Sequence, residues 1–82
     1  AIFLIEEEVE PGYGEVTMPY EFFPLPKVGD HGIAYGRNGK AVCACEVTNI
    51  RTSPAFDHTN LLTIKVPSNM LMSARFYRAE EA

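Results

Sequence analysis

Short runs of apolar and β-branched residues, cut at intervals by Gly, Pro and Asn, organise this chain. That pattern predicts strands joined by turns. "IFLI" followed by "EEEVE" reads as a first strand that ends in solvent, with Pro11, Gly12 and Gly14 making the turn after it. "YGEVTMPYEFFPLP" holds strand-like pieces, but Pro19, Pro24 and Pro26 each remove a backbone donor. An edge strand followed by an irregular aromatic segment is expected there. "VGD" supplies a turn, "HGIAYG" a strand, and Lys40 to about Arg51 a second strand. After a break at "TSPAFDH" comes another strand, "TNLLTIKV", ended by Pro67. Ser68 is placed to cap a short C-terminal helix, whose Arg75 and Arg78 would sit toward the negative end of its dipole.

The central hairpin is the most constrained element. Asn38-Gly39 is the favoured central pair of a two-residue type I′ turn, because both positions require positive φ. With those two as the loop, Arg37 opposes Lys40. Tyr35 then opposes Val42, Ala34 opposes Cys43, Gly32 opposes Cys45 and His31 opposes Glu46. Alternation along each strand puts Cys43 and Cys45 on one face with Ala41, Val47 and Ala34. Tyr35, Ile33, His31, Val42, Ala44 and Glu46 take the other.

This sorting decides how the two cysteines are read. They are the only ones in the chain, one residue apart, and the nearest histidine, His31, points away from both. Residues at i and i+2 of a strand have Cα atoms roughly 6.6–7 Å apart, at or past the reach of a disulfide. Structural zinc takes four ligands, with two or more residues between paired cysteines at a turn, whereas C-x-C lies here inside a strand. A metal or redox site would need Cys43, Cys45 and His58 from the "FDH" loop. The reading with better support is two small core residues facing Gly and Ala. No cofactor is predicted.

Composition narrows the function classes. The chain has 82 residues, 46% of them hydrophobic, with 6 Gly and 6 Pro, which is a single small turn-rich domain over 1–82. A net charge of -4 gives no pull toward phosphate backbones. Single-stranded nucleic acid is therefore the less favoured partner, although Tyr35, Arg37, Lys40 and Arg51 lie on or near the hairpin. No stretch approaches the roughly 20 apolar residues of a membrane span. The close cysteine pair favours a reducing, cytoplasmic setting. The chain opens on Ala rather than Met, in keeping with a processed chain or a piece of a longer one.

No stretch carries a catalytic signature. "FDHTN" collects acid-base side chains, but loops favour the same residues. The expectation is a mainly β fold: a small antiparallel β-barrel or rolled sheet of about five strands with a short C-terminal helix. Its expected function is that of a non-catalytic binding or assembly module, serving a protein partner or a homo-oligomer. Tyr20, Phe22, Phe23, Met70 and Met72 are its candidate contact residues.

Overall fold

The structure, a computed structural model, describes residues 4–21, 25–52 and 60–79. Among these, six strands form one antiparallel sheet: β1 (Leu4–Glu10), β2 (Tyr13–Tyr20), β3 (His31–Tyr35), β4 (Ala41–Arg51), β5 (Asn60–Pro67) and β6 (Phe76–Ala79). Their order is β1-β2-β5-β4-β3-β6. No hydrogen-bonded pairing joins β1 to β6, so the sheet is not closed into a barrel.

It is nevertheless curled. Tyr20 on β2 and Tyr77 on β6 are four strand intervals apart, which would be roughly 19 Å in a flat sheet. Their rings meet edge to face with centroids 6.0 Å apart, and Tyr20 also stacks on Phe76 at 6.4 Å. Curling turns one face inward, and alternate residues fill it: Val16 and Met18 from β2, Ile64 and Val66 from β5, Cys45 and Val47 from β4, Ala34 from β3 and Tyr77 from β6. Each of the fully buried branched side chains contributes about 1.5–3 kcal/mol by leaving water. The period-two burial of β2 and β3 follows from this one-sided packing. The central strand β5 is buried on both faces along its first half.

The expected C-terminal helix is not there. Ser68–Met70 form a single 3-10 turn with no side-chain cap, the chain turns again through Leu71–Ser73, and Phe76–Ala79 then pair with β3. The cause can be read from burial. Leu71, Ala74 and Tyr77 are all buried, and their three-residue spacing mimics a helical face. Two different elements satisfy it instead, a turn and a strand. The aromatic pair Phe76-Tyr77 favours the strand, and β3 would otherwise present an open edge.

Two smaller expectations are also corrected. Gly14 lies within β2, not in the turn. A Cβ there would come within 2.8 Å of the Glu6 and Glu7 carbonyls and the Leu71 side chain, so only glycine lets the bulged β1 cross so closely. β2 itself lies between β1 and β5 rather than at an edge. Pro19 is tolerated because the described part of β1 begins opposite Thr17, leaving β5 as the only neighbour of Pro19 among the described residues.

Candidate binding site

The hairpin that carries most of the candidate residues closes differently from expectation. Gly39 N–H donates to Gly36 C=O (3.0 Å) and Gly36 N–H to Lys40 C=O (2.9 Å). The loop is thus three residues, Arg37 to Gly39, with Gly39 at a φ of +77°. Tyr35 therefore opposes Ala41 instead of Val42. A bulge at Val42 then restores the expected register, and Ala34 opposes Cys43, Gly32 opposes Cys45 and His31 opposes Glu46. The one-residue change at the turn and the bulge cancel, so the assignment of the cysteines to a face is unaffected.

Cys45 is buried at 5% exposure in the core, and Cys43 is half-buried beside it; both are free thiols. Burial pushes the Cys43 thiol up, and it pushes Cys45 to about 12, with Cys43 adding to the effect and a hydrogen bond from the Gly32 backbone opposing it. Such a thiol keeps its proton at neutral pH and is a poor nucleophile. Among the described residues no group of three His, Cys, Asp or Glu side chains could hold a metal ion. His58 lies outside the described residues, as do Phe22 and Phe23.

Of the other candidate contact residues, Tyr20 is 7% exposed and packs against Tyr77 and Phe76, which leaves it little area to offer a partner. Met70 is half-buried, and Met72 is 64% exposed.

Met72 stands on the wall of a depression of about 730 Å³ at the tip of the hairpin. Arg37, Asn38 and Lys40 from the β3–β4 turn line one side, and Ser73 and Arg75 from the segment before β6 line the other. Strand pairing creates this juxtaposition: Arg75 N–H donates to Tyr35 C=O (2.8 Å), which locks the segment against the end of β3. The sequence reading gave Arg75 to a helix and missed it as a site residue. No local signal marks it, because its position depends on β6 pairing with β3.

The electrostatics of the depression are one-sided. Three of the seven cations of the chain line it, with no carboxylate among its lining residues, in a protein of net charge -4. None of the three forms an ion pair among the described residues. One Arg75 N–H is held by its neighbour, Nη1 donating to Ala74 C=O at 2.8 Å. Asn38 Oδ1 accepts the Lys40 backbone N–H at 3.0 Å, which leaves the amide NH₂ as its free group. Tyr35 is half-buried in β3 and does not line the depression. Arg51 is exposed at the far end of β4, roughly 30 Å from the hairpin tip by the rise per residue.

A second depression, about 400 Å³, is lined by His31 of β3, Cys43, Cys45 and Glu46 of β4, Lys65 of β5, and Glu10 and Tyr13 of the β1–β2 pair. Its cation is already neutralised: Lys65 Nζ contacts Glu10 (2.9 Å) and Glu46 (3.7 Å), and sits 5.2 Å from the centroid of the Tyr13 ring. The hydrogen bond to Glu10 is the main cause of its raised pKa. Glu46 opposes His31 in the β3–β4 register, as expected, and its carboxylate lies within ion-pair distance of Lys65.

Fold and site together define, among the described residues, a curled six-stranded antiparallel sheet with an unneutralised cationic depression at its hairpin tip. The chain matches no protein-family model, no curated protein and no solved structure. No helix among the described residues is long and apolar enough to cross a membrane.

Proposed function

We propose that this chain is a non-catalytic binding module, a small subunit or accessory domain, that engages a negatively charged feature of a partner protein through the depression at the hairpin tip. The observation that carries this reading is the gathering of Arg37, Lys40 and Arg75 around one depression with no carboxylate among its lining residues. Four cations remain to face eleven carboxylates over the rest of the chain. Unpaired charge of one sign on a concave surface raises the local concentration of an oppositely charged partner and speeds encounter. Met72, exposed on the same wall, adds an adaptable apolar contact.

The protonated Cys43 and Cys45 thiols weigh against a redox or metal-dependent role. Single-stranded nucleic acid stays as the second reading because Arg37 and Lys40 belong to the site. Against it stand the distance of Arg51 and the net charge of -4.

Comparative capture from the native source tests the reading. Partners bound by the wild type are expected to be lost with Arg37→Glu/Arg75→Glu, weakened at high salt, and kept with Arg51→Glu. Capture indifferent to the double reversal, or lost on nuclease treatment, would overturn it.

A further inference from the structure

We infer that the group taken by this depression is a phosphomonoester dianion, presented on an apolar body by a phosphorylated side chain of the partner. This rests on the binding-module reading and goes beyond it by naming the ligand chemistry. The argument begins with the number of charges. A single carboxylate would offset one of the three cations of Arg37, Lys40 and Arg75. A phosphomonoester carries about -1.5 to -2 at neutral pH and offers three acceptor oxygens.

The donor set points the same way. The two guanidinium groups present forked N–H pairs suited to a planar or tetrahedral oxyanion. Arg75 has committed one N–H to Ala74 C=O, which leaves the rest of its fork available. Lys40 adds a point charge. Asn38 has its carbonyl oxygen occupied by the Lys40 backbone, so the group it has left is a donor, and Ser73 supplies a hydroxyl. No side chain on the lining is an obligate acceptor, so the depression suits a ligand made of acceptors. A cation or a metal ion is excluded by the same charges.

The size and the remaining wall describe what the phosphate is attached to. A volume of about 730 Å³ falls in the range of small-molecule sites and far exceeds the roughly 30 Å³ share of one water. Val42, Ala41 and Met72 form apolar wall beside the donors. A bare oxyanion would leave that wall unused, whereas a phosphorylated aromatic side chain would cover it.

The test is a titration of the ¹⁵N-labelled chain, read at the amides of Gly36, Gly39 and Ser73. The probes are inorganic phosphate, phenyl phosphate, a short phosphotyrosine peptide and the same peptide with Glu in place of phosphotyrosine. The expected order of affinity is phosphopeptide, then phenyl phosphate, then inorganic phosphate, with the Glu peptide at least about ten-fold weaker than the phosphopeptide. Arg37→Ala and Arg75→Ala should each cost about ten-fold, and Arg51→Ala nothing. A Glu peptide that binds as well as the phosphopeptide overturns the phosphate assignment and leaves the binding-module reading standing. Phenyl phosphate binding as tightly as the phosphopeptide overturns the partner side chain as source in favour of a free phosphorylated small molecule. No shift with any probe at low salt overturns the inference, while charge-dependent capture of a partner would show the broader reading to survive without it.

Discussion

Tyr77 is the residue on which the interior of this protein turns. Its ring is fully buried and lies over Gly32, where a Cβ would come within 2.7 Å of the ring and against the Arg78 carbonyl. Gly32→Ala should therefore cost about 2–3 kcal/mol, the scale of overpacking in a closed core, measured as a shift in denaturant midpoint at unchanged slope. The Tyr77 hydroxyl has no hydrogen-bond partner among the described residues. Tyr77→Phe removes a buried, unsatisfied polar group and should stabilise the fold by about 1 kcal/mol; a loss of stability would reveal a partner for that hydroxyl. The pH response belongs to this scale too. Cys45 ionises near its ordinary value, about 8.5, when unfolded, but holds its proton to about 12 when folded. Tyr77 is raised to about 12 as well, mainly by burial. Above pH 8.5 the unfolded chain thus binds fewer protons than the native one, and stability must fall as pH rises. The contribution is fully present below that value. Chemical denaturation between pH 8 and 11 should show the decline, and Cys45→Ala should flatten part of it; a flat profile in the wild type would contradict the buried-thiol account.

At the scale of elements, the sequence spoke clearly wherever a local signal sufficed. Gly39 marked a turn because positive φ favours glycine, and the strand after it is rich in β-branched residues, so the hairpin was legible from its own residues. What local chemistry did not settle was the loop length. Asn38-Gly39 fits a two-residue turn, yet the three-residue form with a compensating bulge at Val42 was adopted. The expected C-terminal helix failed for a different reason: Ser68 as a cap and Arg75 and Arg78 in the later turns are local signals, and the strand partner that overrode them, β3, lies more than thirty residues earlier. That pairing also gave the site its third cation, Arg75, which explains why the site was only half legible. The assignment of β6 is directly testable. Backbone chemical shifts of Phe76–Ala79 should be extended in character, with cross-strand contacts from Tyr77 to Ala34. Helical shifts over this span would contradict the topology.

For the whole molecule, the sheet curls so that one face becomes a core, while the charges on its outside are left unevenly spread. Lys65 is held between Glu10 and Glu46 beside the Tyr13 ring, so its charge is already offset. The first strand carries Glu6, Glu7, Glu8 and Glu10 along an exposed edge, which discourages edge-to-edge pairing with a second copy of itself. The hairpin tip is the exception, and the proposed role depends on that exception being functional. The most direct measurement is the amide shift map of the chain titrated with the phosphotyrosine peptide, the probe expected to bind most tightly, at 20 mM and 200 mM salt. The account predicts saturable shifts confined to Gly36–Lys40 and Met72–Arg75, weaker at the higher salt and absent in Arg37→Ala/Arg75→Ala. Absent shifts, or shifts as large around Lys27 and Arg51 as at the hairpin tip, would contradict it.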